Sequence, residues 1–248
     1  MLESTRIMEY TRLNKAIAET GYCSRREADK LIESGKVKVN GKKAEMGVKV
    51  TKEDEISVRG QIVTKTVKSI YLAFHKPVGI TCTTDLRIKG NIVSYINYPE
   101  RIFPIGRLDK PSEGLIFMTN DGDIVNKILR SRNNHEKEYI VTVNKKITSD
   151  FIKRMGNGIP ILDTVTKKCR VTKVNNYTFK IVLTQGLNRQ IRRMCEYLRY
   201  DVTSLKRLRI MNISLGNIKP GKYRSFTKKE LKDLLNLCED SRKTHDGF

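Results

Sequence analysis

Residues 64–69, Thr64-Lys65-Thr66-Val67-Lys68-Ser69, are polar and nearly free of large apolar side chains. A stretch of that composition connects cores; it does not join one. The chain is therefore read as two folding problems: residues 9–63 as a small module and residues 70–240 as a domain with room for a full core. Residues 64–69 are the linker, and 241–248 a flexible tail.

The small module is written in local signals. Arg12-Leu13 opens a helix with Leu13, Ala16 and Ile17 on one face, stopped at Gly21. Ser24 and Glu27 have capping-box spacing for a second helix, striped by Ala28, Leu31 and Ile32 up to Gly35. Val37 and Val39 then alternate with Lys36 and Lys38 before Asn40-Gly41, a strong hairpin signal, and Ile56 and Val58 mark a last strand ending at Arg59-Gly60.

The long domain mixes strands with a few helices. Ile70 to Phe74 reads as a strand, left by a turn through His75-Lys76-Pro77-Val78-Gly79. His75 has no acid or nucleophile tied to it in sequence and is read as a structural hydrogen-bonding residue. Leu115-Ile116-Phe117-Met118 is a buried strand broken at Asn120-Asp121-Gly122, where Asp121 or Asp123 can cap a short helix. Further strands fall at Tyr139–Val143, at Cys169 and Val171, and at Phe179 to Leu183; a helix follows Thr148. Residues 205–210 alternate Leu208 and Ile210 with Arg207 and Arg209, the pattern of a strand with one apolar and one charged face. A closing helix is capped by Thr227 with Glu230 and striped by Leu231, Leu234, Leu235 and Cys238. The fold class is α+β, the long domain being built on a largely antiparallel mixed sheet.

Charge narrows the partners. Lys and Arg number 49 against 27 Asp and Glu, a formal net charge of +22. That excess favours a polyanion, because each basic group near a phosphate displaces a condensed counterion. No apolar stretch of spanning length, signal-like N-terminus or lipidation motif appears, so a cytoplasmic protein without membrane partners is expected. The 5 cysteines (Cys23, Cys82, Cys169, Cys195, Cys238) are scattered and the 3 histidines isolated, so reduced thiols and no metal site are expected. No dinucleotide or phosphate-binding glycine loop and no nucleophile elbow is present; an enzyme here would work without metal or cofactor.

Two charged constellations remain. Gly106-Arg107-Leu108-Asp109, with Lys110-Pro111-Ser112-Glu113-Gly114 after it, puts an arginine and an acid two apart in a turn ahead of a buried strand. Alone, such a pair reads first as surface charge or local hydrogen-bonded punctuation. Gly186-Leu187-Asn188-Arg189-Gln190-Ile191-Arg192-Arg193-Met194 leads into a helix whose buried face is Ile191, Met194, Cys195 and Leu198. Arg189, Arg192 and Glu196 lie on the neighbouring face. Arg192 can pair locally with Glu196 or reach across the domain to Asp109.

Taken together these segments resemble known families. Arg12-Leu13-Asn14, Ser24-Arg25-Arg26-Glu27-Ala28 and Gly35 to Gly41 closely resemble an S4 RNA-binding domain. That resemblance implies an RNA-contacting surface at Arg12, Arg25, Arg26, Lys30, Lys36 and Lys38. Gly106-Arg107-Leu108-Asp109, Ser112-x-Gly114-Leu115 and Thr119-Asn120-Asp121-Gly122 resemble the catalytic motif of pseudouridine synthases. Lys137-Glu138-Tyr139-x-Val141 and Gly186-x-Asn188-Arg189-Gln190-Ile191-Arg192-Arg193-Met194 resemble that superfamily's other two signatures. Ser112 stands where many members have Thr, and Pro111 follows the lysine. The resemblance points to the branch acting on ribosomal RNA. The wording from His135 through Cys195 is most similar to the F-type enzymes of large-subunit (23S) rRNA.

The resemblance implies roles. Asp109 is the essential acid, as a nucleophile or as a base toward a sugar proton, with Arg192 as its counter-ion and Tyr139 stacking on the target base. Arg107, Leu183 and Arg189 contact substrate, Arg107 filling the space of a flipped base or holding a phosphate and Leu183 walling the pocket. A tRNA is a second candidate substrate, and a monomer is expected. The competing reading is a non-catalytic ribosome-assembly factor with an S4-like module, for which basic charge alone would suffice. The joint presence of Asp109, Tyr139 and Arg192 separates the two. A methyltransferase would need a glycine-rich cofactor loop that the chain lacks.

Overall fold

Short-range chemistry builds the first of two units in the computed structural model, which describes residues 9–64, 68–129 and 134–239. The division falls between Met1–Ser69 and Ile70–Phe248. Residues 65–67 of the expected linker and the expected tail at 241–248 lie outside the described residues.

In the first unit β1 (Thr11–Arg12) leads into α1 (Leu13–Glu19), followed by α2 (Arg25–Glu33). The capping box is formed: Ser24 Oγ accepts from the Glu27 amide at 3.2 Å, and the Glu27 carboxylate accepts from the Ser24 amide at 2.8 Å. β2 (Val37–Val39) turns into β3 (Lys42–Lys43) through Asn40 and Gly41, both at positive φ. β4 (Lys49–Val50) pairs with β1, and β5 (Ile56–Val58) pairs with β2. Arg59-Gly60, read as a chain end to β5, instead turns it into β6 (Gln61–Ile62); both residues take positive φ, as a two-residue hairpin requires. Leu13, Ile17, Ala28, Ile32, Val37 and Val58 fill the core between the helices and this small sheet.

The second unit runs β7 (Tyr71–Lys76), α3 (Ile92–Ile96), β8 (Phe103–Ile105), β9 (Glu113–Thr119), α4 (Asp123–Leu129) and β10 (Lys137–Val143). Then follow α5 (Ser149–Asn157), the ribbon β11 (Pro160–Ile161) and β12 (Thr164–Val165), β13 (Arg170–Lys173), β14 (Thr178–Leu183) and α6 (Gln190–Tyr197). The unit ends with β15 (Val202–Ile210), β16 (Ile213–Ser214), β17 (Tyr223–Ser225) and α7 (Lys228–Glu239). A nine-stranded sheet is ordered β13-β14-β10-β15-β9-β7-β17, with β8 beside β9 and β16 beside β15. Every pairing is antiparallel except β15 with β9, which meet in parallel over two residue pairs. The sheet is thus two antiparallel halves joined at a short seam.

Both faces of this sheet are covered at β7 and β9, whereas β10 and β14 alternate buried with exposed or partly exposed residues. Ile116, Met118, Tyr139, Val141, Phe179 and Ile181 face α5 and α6, which bring Phe151, Met155, Ile191 and Met194. Leu115, Phe117 and Ile210 face the other way, toward Ile124 and Ile128 of α4 and Leu234 and Cys238 of α7. The burial pattern corrects three readings. His75 and Lys76 continue β7 and are buried, where a turn is expected; the His75 ring Nδ1 meets the Ile218 carbonyl oxygen at 2.6 Å. Arg207 is 4% exposed, because it pairs with Tyr139 and so shares the covered face of β10. Leu235, read as part of the α7 stripe, is 40% exposed. Among the described residues no helix is long and apolar enough to cross a membrane.

Candidate active site

The seam between the half-sheets makes a fork, and a charged loop sits in it. One edge of β9 is shared: β15 pairs with its start (Lys206 with Glu113, Arg207 with Gly114), and β8 with its end (Phe103 with Thr119, Ile105 with Phe117). The β8–β9 connection, residues 106–112, therefore emerges where β15 and β8 part. Gly106 enters it at φ +77°. Inside it the Ser112 amide donates to the Asp109 carbonyl oxygen at 3.0 Å, and the Gly79 amide donates to that of Lys110 at 2.8 Å. Buried Lys76 sends its ammonium to the carbonyl oxygens of Ser112 at 2.7 Å and Pro77 at 2.8 Å. Leu108 is buried, its amide against the Cys82 sulfur at 3.4 Å, and its neighbours Arg107 and Asp109 reach a cavity.

Gly114 marks the closest approach of the half-sheets. It takes φ +112°, and a Cβ there would collide with the Arg207 backbone, 2.5 Å from its nitrogen. Gly114→Ala is expected to cost about 3 kcal/mol of stability, through strain at positive φ plus a backbone clash that no side-chain rotation relieves. Urea unfolding of the variant checks this; an unshifted midpoint would contradict the contact.

Arg192 on α6 faces the loop from across the cavity. Its side chain is 11% exposed, and Nε lies 4.0 Å from Asp109 Oδ2, whose side chain is 37% exposed. Three oxygens hold the rest of the guanidinium: Val202 O at 3.2 Å from Nη1, and Pro111 O at 3.2 Å and Ser112 Oγ at 3.1 Å from Nη2. Nε itself has no hydrogen bond among the described residues. The arginine is fixed by its far end and points its remaining N–H at a carboxylate it does not lock. Burial lowers its pKa and Arg189 adds to that, while Asp109 opposes both. Glu196, the local alternative, acts on it only at longer range.

The turn into α6 is built by its own polar residues. Arg189 takes φ +50° as N-cap, Gln190 Oε1 accepts from the Leu187 amide at 3.0 Å, and Arg193 Nε donates to Asn188 O at 3.1 Å. Arg189 stays exposed at the cavity rim, as does Arg107. Tyr139 of β10 and Leu183 of β14 come from the sheet face, 9% and 3% exposed, and line the same cavity of about 560 Å³. The six site residues of this domain thus surround one space, of a size suited to a nucleoside.

Three buried cations escaped the sequence reading of this site: Lys76, Lys137 and Arg207. Lys137 and Arg207 line the cavity. Lys137 is 8% exposed, and burial followed by the field of Arg207 pushes its pKa down to about 8. The two thiols nearest the site are inert by burial: the Cys82 pKa is raised, and that of Cys195 is pushed up to about 12. Among the described residues no group of three or more His, Cys, Asp or Glu could hold a metal ion. In the first unit Arg12, Arg25, Arg26, Lys30, Lys36 and Lys38 are all exposed, with no fixed geometry toward a ligand.

Comparisons with known proteins identify the families of the two units. A family described as RNA pseudouridylate synthase matches residues 70–197, and the S4 domain matches residues 11–56. A Salmonella typhi protein, "Dual-specificity RNA pseudouridine synthase RluF", is 56% identical over 93% of this chain and 81% of its own length. The Bacillus subtilis (strain 168) "Ribosomal large subunit pseudouridine synthase B" is 34% identical over 93% of this chain and 98% of its own. A solved structure, "Crystal structure of pseudouridylate synthase", superposes with a TM-score of 0.67 at 29% identity, covering 90% of this chain and 99% of that one.

Proposed function

The chain belongs to the RNA pseudouridylate synthase family and is an RNA pseudouridine synthase, and we propose that it isomerises specific uridines of 23S ribosomal RNA with Asp109 as its essential carboxylate. The observation that carries the assignment of roles is the gathering of Asp109, Arg192 and Tyr139 around one nucleoside-sized cavity. The large-subunit target is supported by the name of the Bacillus relative, and a second RNA class by the dual specificity named for the Salmonella one. A tRNA is that second substrate in our reading. In our reading the enzyme works in the cytoplasm as a monomer.

A uridine enters by flipping out of its stack, at a cost of a few kcal/mol that is smallest in a loop or bulge. Exposed Arg107 fills the vacated position or holds the neighbouring phosphate, and Arg189 meets the backbone at the rim. Tyr139 stacks on the uracil and Leu183 closes the wall beside it. Asp109 attacks C1′ or takes the 2′ proton; either way the C1′–N1 bond breaks, the base turns, and C5 joins C1′. Arg192 keeps the carboxylate aimed while the substrate excludes water.

Tritium release from uracil-5-labelled 23S rRNA by the purified protein tests the reaction, and carbodiimide mapping of RNA from a deletion strain locates the uridines. No release from either rRNA or tRNA would overturn the proposal. The exposed cations of the first unit lead to a second expectation. Removing residues 1–64 weakens binding to large-subunit RNA roughly 10- to 100-fold and flattens its salt dependence, because several phosphate contacts go together. The single-turnover rate on a saturating short RNA stays within about threefold, since the cavity is built wholly from the second unit. A collapse of that rate would contradict the division of labour.

A further inference from the structure

The cavity's two most buried cations have no task in the mechanism above. Arg207 is 4% exposed; its Nε donates to the Leu115 carbonyl oxygen at 2.6 Å, and its Nη2 is buried without a hydrogen-bond partner among the described residues. Lys137, 8% exposed, has the His135 carbonyl oxygen at 3.3 Å from Nζ. The acids that could neutralise them are committed elsewhere. Glu136 and Glu138, either side of Lys137, pair with Arg209 at 2.7 and 3.2 Å. Glu113 pairs with Lys206 at 2.9 Å and lies 3.7 Å from His75. Each cation also lies in the field of the other, which adds to the depression of the Lys137 pKa.

Burying two like charges without a counter-ion is costly unless an occupant supplies the negative charge. RNA offers two anions. Its phosphates are met at the rim by exposed Arg107, Lys110 and Arg189. The walls are left for a base, and a base is an anion only during the reaction.

We propose that Arg207 and Lys137 are the counter-ions of the uracil anion that forms when the glycosidic bond breaks. The proposal rests on the isomerase reading. Heterolysis of C1′–N1 leaves its electron pair on N1, delocalised over the ring and its two carbonyl oxygens. C1′ regains its fourth bond from the Asp109 carboxylate, or becomes a glycal carbon as Asp109 takes the 2′ proton. In both routes one negative charge moves from Asp109 to the uracil. Arg192 faces the charge where it starts, and Arg207 with Lys137 face it where it arrives. Cations aimed at the arriving charge stabilise the transition state more than bound uridine, which is the condition for lowering a barrier. When C5 then bonds to C1′, the bond to Asp109 breaks, or the Asp109 proton returns to C2′, so the negative charge goes back to Asp109 and the base is neutral. Loss of the C5 proton to solvent and protonation of N1 complete the product.

The test compares uridine with 5-fluorouridine at the target position of one RNA hairpin, in single turnover, reading N-glycoside loss by nuclease digestion and chromatography. Fluorine makes the departing base a weaker base, so its anion needs less help. Lys137→Met should slow cleavage of uridine on the order of 100-fold and that of 5-fluorouridine about tenfold or less, with RNA affinity within about twofold. Arg207→Met should show the same asymmetry. Because Arg207 also ties β15 to Leu115, Arg207→Lys serves alongside it, with an intermediate loss expected. Equal losses on the two nucleosides, or none in Lys137→Met, would overturn the proposal. A wild-type protein inert on the uridine hairpin and on rRNA would overturn the isomerase reading instead.

Discussion

Asp109→Asn leaves the protein folded and RNA-competent, and its turnover falls on the order of 10⁴-fold or more. Asparagine keeps the shape and the main-chain hydrogen bond from Ser112 to residue 109, so the loop has no reason to move. The partner it deserts, Arg192, retains three oxygen acceptors. Asp109 is more than a third exposed, so solvent screens much of the pair's energy, and stability should change by no more than about 1 kcal/mol. RNA affinity should hold or rise slightly, because a negative charge has left a surface that meets phosphates. Tritium release and a filter-binding isotherm on the same RNA check both halves. Retained turnover would remove Asp109 from the chemistry, and lost binding would make it a docking residue.

Some of the molecule was legible because its causes are local. Ser24 with Glu27, Asn40-Gly41 and Thr227 with Glu230 each specify a cap or turn within four residues, and each is formed by the bonds its sequence implies. Thr148 likewise accepts from the Phe151 amide at 3.1 Å, and Asp121 rather than Asp123 serves the start of α4. What could not be read depends on the whole sheet. The charged residues Lys76, Lys137 and Arg207 look solvated in an alternating pattern. Lys76 is buried because both faces of β7 are covered, Lys137 and Arg207 because they share the covered face with Tyr139, and main-chain carbonyl oxygens receive their N–H groups. α3 was missed for a different reason: five residues capped by Asn91 carry too little periodicity to register.

The site divides along the same line. Asp109, Tyr139 and Arg192 were found through motifs, each with an ordinary structural explanation, and composition could not have joined them. Geometry adds why those motifs have their lengths. Gly114 must be small where β9 meets Arg207, Leu108 must be apolar to root the loop, and Ser112 must present both its hydroxyl and its carbonyl oxygen. β15 carries two residues without a partner on β10, Thr203 and Leu208, the latter between pairs Glu138–Arg209 and Tyr139–Arg207. That bulge twists the strand as it approaches the seam and keeps Arg207 opposite Tyr139.

The same arrangement sets the expectation for Arg192, whose removal should act on the rate through Asp109 and leave RNA affinity nearly unchanged. Arg192→Met keeps the length and apolar stem of the side chain, so α6 can still pack through Ile191, Met194 and Cys195. It takes away the charge beside Asp109 and the donors serving Val202, Pro111 and Ser112. Turnover should drop on the order of 10³-fold, combining the lost electrostatic partner with a loop free to shift. Arg192→Lys restores the charge but has three donors on one nitrogen, which cannot span acceptors on opposite sides of a planar guanidinium. It should recover only part of the loss, about 10- to 30-fold above Arg192→Met. A purely packing role predicts the reverse: both variants would share a lowered melting temperature and differ little in rate. Chemical rescue separates the two accounts, because guanidinium ion added to Arg192→Ala can occupy the vacated place beside Asp109. Rate recovery that saturates with guanidinium and is absent with sodium chloride would assign Arg192 to the carboxylate; a flat response would assign it to the scaffold.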